Sequence, residues 1–227
     1  MKSFLLLINF IIHFILFNLN LCRKQSKLEY NKNRTFTILQ FTDLHFGESY
    51  FGDLVTMSTQ EFLINKTNPD LVVVTGDSVS GYSWHGVADW SFNLWEKWTS
   101  VFKNTQTKYA YTFGNHDDGA DLNRQQIYNL ELTHPYSLTQ KSENIHGLTN
   151  YYLPIFSSYN NSEIATFLWL FDTNDNTCNY PHLYDETQEW GCVESDQINW
   201  YKNKSEELKS IYGLKKGMGF MHIPIPI

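Results

Sequence analysis

The sequence predicts an α/β protein, with a parallel sheet in its first half and antiparallel pairing in its second. Three observations carry that expectation. Apolar, β-branched and aromatic runs alternate with stretches of helical periodicity, the sign of strand–helix units. The run from Leu71 to Thr75 is continuously apolar up to its last residue, as for a strand covered on both faces. Three successive strands end in polar clusters that contain aspartate, and right-handed crossovers would set those ends along one edge of one sheet.

The chain opens with a leader. Lys2 supplies a short positive region, and Phe4 to Leu19 is apolar apart from Asn9, His13 and Asn18. This run is short for a transmembrane helix, which needs about 20 apolar residues. Residues 1–22 therefore read as a secretory signal peptide, with an uncleaved signal anchor as the alternative. The mature chain is expected to have no membrane span and to be secreted or lumenal. Four N-glycosylation patterns, at Asn33, Asn65, Asn160 and Asn203, agree with that address. Cys178 and Cys192 form an even pair beyond the leader. In an oxidising compartment they are expected to form a disulfide; the other reading is two free thiols.

Residues 23–34 are polar and read as an irregular lead-in, and the folded domain is expected over 35–227. Thr35 to Phe41 reads as a strand running into Asp43-Leu44-His45. Met57 to Lys66 reads as a helix with Phe62 and Leu63 inward, and Leu71 to Thr75 as a strand running into Gly76-Asp77. Ala88 to Phe102 carries Trp90, Leu94, Trp95, Trp98 and Val101 at helical spacing, a packing pattern. Tyr109 to Phe113 delivers Gly114-Asn115-His116-Asp117-Asp118, and a helix follows over Leu122 to Leu132. Tyr151 to Ile155 and Ile164 to Phe171 read as paired strands. A helix capped by Ser195 follows, and a last strand, Gly217 to Met221, reaches His222.

Composition narrows the partners. The net charge of −7, with no basic stripe to override it, argues against a nucleic-acid backbone. At the strand ends stand Asp43, His45, Asp77, Asn115, His116 and His222. Carboxylate oxygen and imidazole nitrogen together suit Zn, Fe or Mn. Two such ions sharing an aspartate would give a hydroxide at ordinary pH and neutralise the oxygens of a phosphate ester. A histidine oriented by a carboxylate could protonate the leaving oxygen, and His116 followed by Asp117 fits that description.

Asp43-x-His45, Gly76-Asp77, Gly114-Asn115-His116-Asp117 and the later His222 resemble the calcineurin-like metallophosphoesterase superfamily, in order and spacing from Thr35 to the end of the chain. The wording FTDLHFG, VVVTGDSVSG, FGNHDD and FMHIPIP is most similar to its purple-acid-phosphatase-related branch. The resemblance implies a sandwich of two β-sheets flanked by helices, with the second sheet incomplete. It also implies a dinuclear metal centre acting on a small phosphate ester, a monoester by first expectation and a diester by the second. Asp43 and His45 would hold the first metal, Asp77 would bridge, and Asn115 and His222 would hold the second. His116 would contact phosphate, with Asp117 orienting it; Asp118 takes no family role. Two departures follow. Ser80 stands where purple acid phosphatases carry the tyrosine that colours ferric iron, so a purple centre is not expected. The family's closing Gly-His-x-His is absent after His222, so the chain is expected to be a fragment of an active enzyme, the alternative being a relative with a weakened site.

Overall fold

The computed structural model describes residues 27–160, 162–175, 178 and 190–225; the leader lies outside the described residues. In chain order the elements are β1 (Leu28–Glu29), β2 (Ile38–Phe41), α1 (Tyr50–Thr67), β3 (Leu71–Thr75), α2 (Trp90–Thr105), β4 (Tyr109–Thr112), α3 (Arg124–Glu131), β5 (Tyr151–Phe156), β6 (Ile164–Phe171), α4 (Ser195–Tyr212) and β7 (Lys216–Met221). They form two sheets. One is parallel, in the order β2-β3-β4, and the other runs β1-β5-β6-β7. In the second sheet only β5 and β6 are antiparallel; β1 runs parallel to β5, and β7 parallel to β6.

The two-faced burial expected of β3 explains the layering. Val72 and Val74 pack into one apolar cluster with Trp95, Trp98, Val101 and Phe102 of α2 and Ile64 of α1. Leu71 and Val73 point the other way, into a cluster with Tyr151, Leu153, Leu168 and Leu170 of the second sheet. On the far side of that sheet Phe167, Trp169 and Phe171 meet Leu208 and Trp200 of α4. The order of layers is therefore helices, sheet, sheet, helix, and β3 belongs to two cores at once.

Several boundaries differ from the sequence reading. The lead-in contributes β1, which pairs Leu28 with Ile155 and extends the second sheet, so ordered structure begins before residue 35. Helix α1 starts seven residues earlier than expected because Ser49 caps it, accepting from the Gly52 amide. Its aromatic and β-branched first turns hide the helical period. Phe62 is 60% exposed rather than inward, and the buried positions are Asp53, Gln60 and Ile64. Glu194, not Ser195, caps α4, in a box with Gln197. Cys178 and Cys192 are bonded to each other, with Cα atoms 5.3 Å apart.

One buried carboxylate holds the helical core to β4. Glu131 Oε1 accepts from Trp95 Nε1 at 2.6 Å and from Tyr109 Oη at 3.0 Å, and Oε2 accepts from Ser137 Oγ at 2.7 Å. Removing one end of such a network strands several buried donors, each costing about 1–3 kcal/mol. Glu131→Ala is therefore expected to lower unfolding free energy by at least about 3 kcal/mol, read from the urea midpoint at unchanged slope.

Candidate metal centre

Two loops that pair beyond their strands bring the polar clusters together. After β2 and β3 end, His45 N still donates to Asp77 O, Phe46 N to Ser78 O, and Ser80 N to Phe46 O. Asp43, His45 and Asp77 all carry positive φ, near 50°. Such non-glycine residues cost about 1 kcal/mol or more each and persist only where their surroundings over-determine them. Asp43 and His45 thus face the same side because of two left-handed residues, not through strand alternation. Glycine is required where the β3 and β4 loops touch. A Cβ on Gly76 would lie 2.3 Å from Gly114 N, and one on Gly114 would lie 2.1 Å from Asp77 Oδ1.

The result is two donor sets that share Asp77. Ligand atoms of Asp43, His45 and Asp77 lie within 4.8 Å of one another. His45 Nε2 is 3.8 Å from both Asp43 Oδ1 and Asp77 Oδ2. On the other side, His222 Nε2 is 2.9 Å from Asn115 Oδ1 and 3.3 Å from Asp77 Oδ2. His222 Nδ1 is tied to Thr75 O at 2.8 Å. That contact leaves Nε2 as the inward atom, which is how second-partner hydrogen bonds orient ligating histidines. His222 Nε2, Asn115 Oδ1 and Asp77 Oδ2 thus converge as one nitrogen and two oxygen donors. Asn115 Nδ2 is buried without a partner among the described residues, so its amide is spent through oxygen.

Electrostatics follow from burial of Asp77 against His222. Burial pulls the His222 pKa down, but the Asp77 hydrogen bond and charge outweigh it and raise the value to about 9. For Asp77, burial pushes upward, and the His222 hydrogen bond and charge bring the net value below the ordinary 3.8.

His116 and Asp117 sit in the same loop but do different things. The His116 amide donates to Asp77 Oδ1 at 2.9 Å, and its ring lies at the site mouth, 4.9 Å from the Tyr82 ring and 6.0 Å from that of His45. Asp117 does not turn toward that ring. It is fully buried and accepts from the backbone amides of Asp77, Ser78, Val79 and Gly114 at 2.8–3.2 Å. Expecting Asp117 to orient His116 followed adjacency in sequence; burial instead commits the carboxylate to orphan amides of the two loops. Its carboxyl is held above the usual range by burial first and then by Asp77.

Three residues important to the site's frame were not singled out for it from sequence. Arg124 bonds Asp172 at 2.7 Å, Asp118 at 3.2 Å and the Gly114 carbonyl at 2.8 Å, tying the β4 loop to the end of β6. Asp118 is thus one arm of this clamp. Asp172 directly follows the apolar strand β6, whereas Arg124 is the first residue of α3 and stands in no motif. Glu48, next to Gly47, reaches His45 Nδ1 at 3.1 Å and accepts from Ser80 Oγ at 2.8 Å and from the Tyr82 hydroxyl. Tyr82 is therefore engaged by Glu48, and Ser80 by both Glu48 and His45.

Two predictions follow from these contacts. Because the His222 pKa is raised from 6.5, its contribution to stability is complete below pH 6.5 and is lost as pH rises through 9. In chelator, the thermal midpoint should fall between pH 6.5 and 9.5, and His222→Asn should flatten that slope. Asp117→Ala leaves the loop amides without their acceptor and should lower stability by about 2–4 kcal/mol while also weakening metal binding; calorimetry with and without Mn checks both.

The profile of the calcineurin-like phosphoesterase family matches residues 36–217. A protein of Arabidopsis thaliana named "Probable inactive purple acid phosphatase 29" is 26% identical over 89% of this chain and 58% of its own length. The Saccharomyces cerevisiae protein named "Phosphatase DCR2" is 29% identical over 88% of this chain and 36% of its own. The chain thus spans about half of one relative and about a third of the other. Among solved structures, a dimetal phosphatase from Danio rerio superposes with a TM-score of 0.54 at 12% identity, covering 83% of this chain and 70% of that one. That likeness is one of fold, two sheets flanked by helices. With its profile match running from before β2 to the start of β7 and including the loops that carry Asp43, Asp77 and Asn115, the chain belongs to the calcineurin-like phosphoesterase family.

Proposed function

We propose that the protein is a metal-dependent phosphomonoesterase with a dinuclear centre. The observation that carries this reading is the pair of donor sets meeting at Asp77, with His116 at their mouth. Asp43, His45 and Asp77 would hold one ion, and Asp77, Asn115 and His222 the other. Metals bound there would supply Lewis acidity and would lower the pKa of a water. The chain's own residues do the rest. Asp77 fixes the His116 backbone through Oδ1, so the ring stays beside the metal ligands. From there it can give a proton to the leaving oxygen. The mixed oxygen and nitrogen donors suit Zn, Fe or Mn. Ser80 and the engaged Tyr82 support a centre without a tyrosinate ligand. The net charge of −7 favours a small ester over a polynucleotide.

A secreted or lumenal setting fits this reading. The four sequon asparagines Asn33, Asn65, Asn160 and Asn203 are exposed, and the Cys178–Cys192 bond suits an oxidising compartment. No helix among the described residues is long and apolar enough to cross a membrane. The name of the Arabidopsis relative favours a second reading, a folded but inactive protein.

The test is hydrolysis of p-nitrophenyl phosphate and of its bis ester by Mn-, Zn- or Fe-loaded protein. It is run on this chain and on a longer form carrying a Gly-His-x-His segment. Monoester turnover should exceed diester turnover, vanish in chelator, and fall about 10²- to 10⁴-fold in His116→Asn with metal content unchanged. Stoichiometric metal without turnover in both forms would establish the inactive reading. Faster diester turnover would reassign the substrate.

A further inference from the structure

We propose that Glu48 is a positioning residue of the first metal site, acting through His45 with Ser80 as its relay and Tyr82 as its clamp. The inference rests on the metallophosphatase reading above and adds to it a residue outside the ligand set.

The hydrogen-bond directions carry it. Glu48 Oε1 faces Ser80 Oγ at 2.8 Å and the Tyr82 hydroxyl, and an ionised carboxylate only accepts. The single Ser80 proton therefore goes to Glu48. Ser80 Oγ is also 2.6 Å from His45 Nδ1, and with its proton committed it must accept there. His45 consequently carries its proton on Nδ1, which also lies 3.1 Å from Glu48 Oε1. The lone pair is then on Nε2, the atom 3.8 Å from Asp43 Oδ1 and from Asp77 Oδ2. The tautomer that can bind a metal is thus selected by a carboxylate on the opposite side of the ring. A carboxylate behind a ligating imidazole also makes it a stronger donor, and losing such a partner typically costs 10–100-fold in metal affinity.

Tyr82 completes the device. Its ring packs edge-on against His116 at 4.9 Å and lies 6.3 Å from the His45 ring, while its hydroxyl holds Glu48. Its phenol is thereby spent on restraining the orienting carboxylate. Glu48 is exposed, so its removal leaves the cores untouched.

Co(II) is the probe, because its d–d absorption reports ligand geometry independently of turnover. Affinity is measured by competition with a chromophoric chelator in wild type, Glu48→Ala, Glu48→Gln, Glu48→Asp and Tyr82→Phe, with His45→Ala marking loss of the first site. Glu48→Ala should weaken the His45-dependent site about 10- to 100-fold and shift its absorption. Glu48→Gln should lie between it and wild type, Glu48→Asp should recover part of the loss, and Tyr82→Phe should weaken binding by a smaller factor than Glu48→Ala. Metal-free melting temperatures should match wild type. Wild-type affinity and an unchanged spectrum in Glu48→Ala overturn the inference alone. Absence of Co(II) binding both in the wild-type chain and in the longer form carrying a Gly-His-x-His segment overturns the metallophosphatase reading beneath it.

Discussion

The site depends on one buried carboxylate that belongs to neither donor set. Asp117 collects the amides of Asp77, Ser78, Val79 and Gly114, which belong to loops after two different strands. Those amides would otherwise be buried donors without acceptors. A group left so costs more than a formed bond returns, so the carboxylate fixes both loops in one arrangement. Gly76 and Gly114 let the loops touch backbone to backbone, and Asp77 is aimed between His45 and His222 as a result. Arg124 repeats the principle one layer out, where a guanidinium joins Asp172, Asp118 and a loop carbonyl. The candidate ligands thus stand on loops held in place by buried hydrogen bonds.

That constraint has a cost. Asp43, His45 and Asp77 are all in left-handed backbone conformations, so the chain is strained where its chemistry is concentrated. The carboxylate and guanidinium clamps hold these loops from the polar side, while Phe46, Val79 and Phe113 anchor them in the apolar core.

Much of the frame was legible in the sequence, because β3 and β4 are short and unmistakably apolar, and their polar exits are sharp. Helix α2 was legible because its tryptophans recur at helical spacing and Trp95 and Trp98 are buried. Helix α1 was only half visible, since Tyr50, Phe51 and Val55 occupy exposed positions and contradict an amphipathic period. The candidate ligands could be picked out one by one, and the structure places them in two groups around Asp77. The role of Asp117 could not be read, because adjacency to His116 says nothing about which amides a buried carboxylate will find. Glu48 and Arg124 carry no such signal either: each also joins a partner more than 30 residues away, Ser80 for Glu48 and Asp172 for Arg124, and neither side chain belongs to a recurring motif.

The short pairing of Leu28 and Glu29 with β5 bears on where the folded unit can be cut. Tyr30 adds a hydroxyl contact to Thr166 Oγ1 at 3.0 Å, so the segment is joined to two strands of the second sheet. Expression from Thr35 onward would leave one edge of β5 with open backbone donors and acceptors, the kind of edge on which chains join one another. The segment Leu28–Tyr30 thus serves as the cover strip of the sheet, and a recombinant boundary is better placed before Lys27 than at the first motif.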